Sequence, residues 1–486
     1  MSFNSIQFLI FFPIVAIIYF LIHQKYRWIF LLTASYYFYM CWEPGYLLLI
    51  ILSTLIDYYA GIMMGKQADK SKRKKYLILS LLTNLGLLAI FKYYNFFNQS
   101  LGILFSYSHI DYKVSSLNLL LPVGISFYTF QTLSYSIDVY RGAKAPEKHL
   151  GMFALYVAFF PQLVAGPIER STRLLPQFYK KFQFDYDRVV SGLRLMLWGM
   201  FKKVVIADRL AIFVDKIYYK PEAYTGVELN LATIFFAFQI YCDFSGYSDI
   251  AIGSAKVLGF DLMKNFNKPY FARSISDFWS RWHISLTTWF KDYLYIPLGG
   301  NKVSSKRFYL NVLVVFILSG LWHGANWTFV IWGFLHALYY IISKLTKSFR
   351  DLFIRFVKLN KLPVIHAFIQ MVFTFMLVCF SWIFFRANCL KDAIYIYSHL
   401  FYKLDKSFVV LSLLDGKLAE FYPNVIPSLY LIMFLITVQY LQRHDWFKCA
   451  WFERYIALRW SIYLLLCLGI MNYGVVKKIP FIYFQF

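Results

Sequence analysis

Runs of about twenty mostly apolar residues recur from one end of this chain to the other. Coiled into a helix, each run is as long as the hydrocarbon core of a bilayer is thick, about 30 Å. The runs are continuous and do not alternate, which argues against a membrane β-barrel. With 59% of 486 residues hydrophobic and 15% charged, a soluble fold could not hide the apolar surface. The sequence therefore specifies an all-α polytopic membrane protein. About eleven to thirteen membrane-embedded helices are expected, in one domain over residues 1–486, without internal repeat or linker.

Charge orients the crossings. A first span over 5–22 leads to His23, Lys25 and Arg27, and 28–42 returns to a turn at Glu43, Pro44 and Gly45. Residues 46–64 cross again into the basic stretch GKQADKSKRKK. Two basic loops separated by two crossings place both in the cytoplasm and the N-terminus outside. No basic region precedes the first apolar run and no small-residue site follows it, so it reads as a retained span and not a signal peptide. Further runs lie at 76–98, 116–137, 190–214, 225–258, 308–340, 364–386, 427–441 and 459–475. Basic residues on both sides of the last, from Arg443 to Arg459 and at Lys477 and Lys478, leave the final third without an orientation. The run GMFALYVAFFPQLVAGPIER is short, interrupted by Pro161, Gly166 and Pro167, and basic on both flanks, which suggests a re-entrant or tilted segment. Broken backbone at membrane depth survives only where protein or water covers it.

The net charge of +25 fits basic loops that set orientation and attract anionic lipid headgroups; nucleic acid is not an expected partner. Six cysteines without a CxxC pair suggest neither a disulfide framework nor a zinc site. HExxH, P-loop and GxSxG patterns are missing, so no metal or tightly bound cofactor is expected.

Three stretches carry polar groups that apolar surroundings make costly. In SGLWHGANWTFVIWGFLHAL, His323 sits between Trp322 and Gly324, with Asn326 one turn on, while His336 lies 13 residues further and over half a turn away. The two histidines are not expected to share a ligand site. Gly320, Gly324 and Gly333 permit close helix contact or unwinding. A buried imidazole can stay neutral, and a neutral imidazole is what a general base requires. In DFWSRWHISLTTWFKDYLYIPLGG, a helical wheel gathers Trp279, Trp282, His283, Leu286, Trp289, Phe290 and Tyr293 on one face. Such a helix either lies in the membrane interface or turns its stripe inward to wall a chamber, and His283 is then a structural or a functional histidine. In YCDFSGYSDIAIGSAKVLGF, Asp243 and Asp249 are either a polar pocket wall or histidine orienter, or carboxylates that cap a broken helix or pair with Lys256 or Arg273.

Taken together, RWHISLTTWFKDYLYIPLGGN and LSGLWHGANWTFVIWGFLHAL resemble the membrane-bound O-acyltransferase family, most closely its bacterial alginate O-acetyltransferase-like branch. FFPQLVAGPIER, QIYCDFSGYSDIAIGSAKVLGF, SWIFFRANCLKDA and the N-terminal FNSIQFLIFFPIV and LLTASYYFYMCW are similar too, so the likeness covers most of residues 1–395 and little beyond 400. The resemblance implies helices around a funnel and tunnel, a catalytic histidine at His323, and a second characteristic histidine at His283. It implies acetyl transfer from a cytoplasmic donor, acetyl-CoA, toward an exported polysaccharide such as alginate, cellulose or peptidoglycan, through a periplasmic SGNH-type partner. Trp282, Trp322 and the rest of the stripe would wall a water-poor tunnel. Asn326 is a candidate for orienting His323 or polarising the carbonyl. Competing readings are D-alanyl transfer toward teichoic acid, which keeps both histidines, a lipid-linked sugar flippase, which predicts inverted repeats, and a scaffold without chemistry.

Overall fold

A computed structural model describes residues 1–404, 409, 423–443, 455–475 and 479–484. The described chain is helical, with no strand among its residues. Seven helices among the described residues are long and apolar enough to cross a membrane, and Ile6–Leu21 and Val425–Leu441 are shorter apolar helices. The other expected crossings fall on helices such as Gln24–Met40 and Ile125–Arg141, each 17 residues long, or on broken segments. Lys477, Lys478 and Cys449 lie outside the described residues.

The chain falls into two compact units. The first comprises Met1–Met196, Ser248–Lys264 and Thr288–Pro297; the second comprises the described residues of Leu197–Tyr247, Asn265–Thr287 and Leu298–Phe486.

In the first unit, the proline-interrupted run forms a nine-residue helix, Leu150–Ala158, then a break at Phe159 and a single turn, Phe160–Leu163. Nine residues rise only about 14 Å, too little to span. The exposed backbone groups of the break are met by side chains. Ser35 accepts from the Phe160 N–H at 3.1 Å, while Gln162 Nε2 donates to the Tyr156 carbonyl at 3.0 Å. From Met152 to Glu169 the segment is buried, which is the cover that broken backbone needs. Asp57, also buried, accepts from Asn84 Nδ2 at 2.8 Å and from Ser80, so its carboxylate does not face lipid alone.

Two stretches depart most from the sequence reading. The run 308–340 is not one helix but two, Ser305–His323 and Trp327–Leu345, folded back on each other at Gly324–Asn326. The glycines make the close approach. A Cβ on Gly333 would stand 2.3 Å from the Phe316 carbonyl oxygen, and one on Gly320 would stand 2.2 Å from that of Phe329. Gly333→Ala is therefore expected to force the helices apart at a cost of about 1–3 kcal/mol or more. Gly86→Ala, with nothing within 4 Å of the added carbon, should be neutral or stabilising. Thermal unfolding of both variants in detergent checks this, and equal midpoints would refute the contact.

The second departure is the stretch 277–293. It is not a continuous amphipathic helix but Ile275–Arg281, a break at Trp282–His283, then Ile284–Phe290 and a π-turn to Tyr295. His283 takes φ +42°, the left-handed region, and is the one buried non-glycine residue there among those described. The helix breaks because the Asn265 carbonyl takes the Ile284 N–H at 2.9 Å, which removes that amide from the helical ladder. Trp279, Trp282, Leu286, Trp289 and Phe290 are buried in protein, so the stripe does not rest in the membrane interface.

Candidate active site

The break at His283 and the end of the first hairpin helix at His323 bring the two imidazoles together. Their ring centres lie 6.4 Å apart, and the side chains are 0% and 3% exposed. His323 is the last residue of its helix, and Gly324 in extended conformation turns the chain away. Its ring is walled by Trp322 at 4.9 Å, Trp332 at 5.0 Å, Phe385 at 5.3 Å and Tyr483 at 5.6 Å. His283 packs edge-on to Phe244 at 4.7 Å and to Trp322 at 5.9 Å.

Asn265 fixes the state of His283. Its carboxamide oxygen accepts from the Ser285 N–H at 3.3 Å and the Ser285 hydroxyl at 2.8 Å, and lies 3.1 Å from His283 Nδ1. A backbone N–H can only donate, so the group facing these atoms is the oxygen, and Nδ1 must carry its proton to join them. The neutral ring then presents its lone pair at Nε2. Burial holds the imidazole well below its ordinary pKa, so it stays neutral at physiological pH.

This has a consequence for stability. Protonation is easier in the unfolded chain, so the fold loses stability as pH falls below about 6.5, the free-histidine value, and not above it. Thermal midpoints measured from pH 8 to 5 should therefore fall on the acid side, and His283→Gln should flatten that slope. An unchanged slope would remove His283 from the buried neutral state.

His336 is placed otherwise. Trp279 Nε1–H donates to His336 Nδ1 at 3.3 Å, and its Nε2 meets the Ser381 hydroxyl at 2.9 Å. Both ring nitrogens are engaged, and the Trp332 indole, 4.9 Å from this ring and 5.0 Å from that of His323, lies against both. Asn326 caps the second hairpin helix, its oxygen taking the Thr328 N–H at 3.0 Å, while Nδ2 reaches the Asn388 carbonyl. Trp282 is buried between Phe266 at 5.1 Å and Trp382 at 5.1 Å, directly beside the His283 turn.

Asp243 pairs with neither Lys256 nor Arg273. Its carboxylate meets Lys203 at 2.8 Å, and Lys203 also meets Asp208 at 2.8 Å, all three buried. Lys203 lies in a π-turn, Lys202–Ala207, between the Tyr186–Phe201 and Asp208–Tyr219 helices, and that turn delivers the cation. Lys256 instead donates to Ser191 at 2.7 Å. The other oxygen of Asp243 accepts from the Ile482 N–H at 2.8 Å. That bond anchors the stretch from Phe481 to Tyr483, so that Tyr483 stands 4.4 Å from Phe244 and 6.4 Å from His283.

Sequence reasoning missed Asn265, Ser285, Lys203 and Tyr483. Asn265 gave only a weak signal, a lone amide between Met263 and Phe266 in a loop. Tyr483 gave none.

No group of three metal-ligating side chains gathers among the described residues. The site is a cluster of aromatic rings packed around two imidazoles, one of them in a fixed tautomer. Such a place can lift a proton from a hydroxyl and keep water from a reactive acyl group.

Residues 36–389 match the membrane-bound O-acyltransferase (MBOAT) family model. The probable alginate O-acetylase AlgI of Pseudomonas aeruginosa is 40% identical over 404 residues, 82% of this chain and 75% of that protein. That of Pseudomonas putida is 36% identical over the full length of both, so the likeness extends past residue 400, where the motifs give out. The peptidoglycan O-acetyltransferase of Helicobacter pylori is 36% identical over 75% of this chain and 72% of that protein. The teichoic acid D-alanyltransferase of Bacillus subtilis is more distant, 29% identical over 56% of this chain and 70% of that protein.

Proposed function

The chain belongs to the membrane-bound O-acyltransferase family, and we propose that it moves acetyl groups across the inner membrane for O-acetylation of an exported polysaccharide. The donor is cytoplasmic acetyl-CoA, drawn to the basic loops by its phosphates. The acceptor side faces the periplasm, where an SGNH-type partner sets the acetyl group on the polymer. The N-terminus lies on that side, and the basic loops after the first and third spans lie in the cytoplasm.

The observation that carries this reading is the pair of buried imidazoles, 6.4 Å apart, in one cluster of aromatic rings. His323 takes the proton of the acceptor hydroxyl as its oxygen attacks the thioester carbonyl. The C–S bond breaks, and the leaving thiolate collects the proton from the imidazolium. His283, its Nδ1–H held by Asn265, offers Nε2 toward the same space and orients the acceptor or relays its proton. The developing oxyanion needs a donor. Trp332 Nε1–H, buried beside His323 and without an acceptor among the described residues, is suited to that task. Rings on every side keep water from the thioester. Asn326 shapes the turn after His323 and takes no part in the proton transfer.

Purified protein supplied with acetyl-CoA should transfer acetyl to an acceptor, whereas D-alanyl carrier protein should give no transfer. The reverse result would replace the acetyl reading with the D-alanyl one.

A further inference from the structure

Away from the histidines, the second unit holds a cavity of about 660 Å³ with an almost wholly apolar wall. Its lining runs along the membrane-spanning Pro363–Arg386 helix from Phe368 through Val372 and Phe375 to Ile383. Fifteen residues of helix rise about 22 Å, more than half the depth of a hydrocarbon core of about 30 Å. A chain reaching in from one leaflet would fit along it. Phe368 and Met376 are 61% and 52% exposed, so the cavity opens sideways on a helix whose surroundings in a membrane are lipid. Apolar lining atoms gain dispersion contacts from a chain packed against them, and in a bilayer the material at hand is an acyl chain.

One end of the cavity is charged. Ile436, Gln439, Tyr440 and Arg443 line it at helical spacing, with Arg443 just past the end of the Val425–Leu441 helix. The exposed Arg443 guanidinium lies 5.2 Å over the ring of Phe271, another lining residue. A guanidinium in the lining of an acyl-sized groove is the complement of a lipid phosphate. Gln439 also donates to the Tyr241 hydroxyl at 3.0 Å, and Tyr241 packs on Trp282 at 6.2 Å. A filled cavity thus braces the ring layer behind the His283 turn.

We propose that this cavity binds one anionic phospholipid, an acyl chain lying between the Pro363–Arg386 and Val425–Leu441 helices and its phosphate on Arg443. Native mass spectrometry of the full chain, taken from phosphatidylglycerol and phosphatidylethanolamine membranes into mild detergent, reads this without any acetyl donor. Its outcome is therefore independent of the proposed reaction. The wild type should keep one phosphatidylglycerol, and Val372→Trp, which fills the groove, should lose it. Arg443→Gln should lower the preference for phosphatidylglycerol over phosphatidylethanolamine about fivefold. If Val372→Trp does not assemble, phosphatidylglycerol with a photoreactive group on its chain should label wild-type peptides containing Phe368–Ile383 or Ile436–Tyr440. A wild type that keeps no phospholipid, equal retention in Val372→Trp, an unchanged preference in Arg443→Gln, or labelling elsewhere would overturn the proposal.

Discussion

Replacing His323 by alanine is expected to abolish polymer acetylation while leaving the amount of protein and its membrane insertion unchanged. General-base catalysis by a positioned side chain contributes roughly 10²–10⁴-fold, and here no second group duplicates the role. The ring sits at the end of its helix, where truncation leaves the Gly320 and Gly333 contact in place. Loss of a ring walled by Trp322, Trp332 and Phe385 opens a cavity, so a modest fall in thermal midpoint is expected alongside the lost activity. Acetyl content of the polymer, set against immunoblots of the membrane fraction, separates the two effects. Normal acetylation in this variant would remove His323 from the chemistry.

Asn265→Leu is the second large effect. The substitution leaves the Ser285 N–H and hydroxyl and the His283 Nδ1–H without the oxygen they share, all of them buried. The Ser285 hydroxyl stays 3.4 Å from His283 Nδ1, but loss of the shared oxygen should still cost about 1–3 kcal/mol, so the variant should be less stable. It also frees the imidazole to carry its proton on Nε2, which would hide the lone pair from the acceptor. Turnover should fall about 10²-fold or more while the KM for the donor changes little. Steady-state kinetics in detergent measures both numbers. A variant that is destabilised but turns over normally would assign Asn265 to the fold alone.

What could be read from the sequence divides along physical lines. Membrane helices were legible because lipid demands continuous apolar runs, and Ile6–Leu21, Gly226–Leu258 and Pro363–Arg386 fall where the runs predict. The proline-broken segment before Glu169 was legible because Pro161, which lacks an N–H, and Gly166, which lacks a Cβ, fall close together in a short run and both weaken a helix. The histidines were legible because an ionisable ring among tryptophans needs a reason. The turn at His283 was not, since it is made by Asn265, 18 residues upstream, and a helical wheel sees only neighbours three and four residues apart. The partner of Asp243 was misjudged for the same reason. Lys256 and Arg273 are nearer along the chain, but the π-turn at Lys202–Ala207 delivers Lys203 instead. Tyr483 reaches the site through a backbone bond from Ile482 to a residue 239 positions away, which no local pattern encodes.

The most direct test of the imidazole as base is single-turnover transfer from labelled acetyl-CoA by purified His323→Ala, with and without added free imidazole. The mechanism predicts a rate reduced at least 10²-fold that recovers as imidazole concentration rises, the small base entering the space left by the missing ring. A variant that transfers acetyl within a few-fold of the wild type in the absence of imidazole would contradict it.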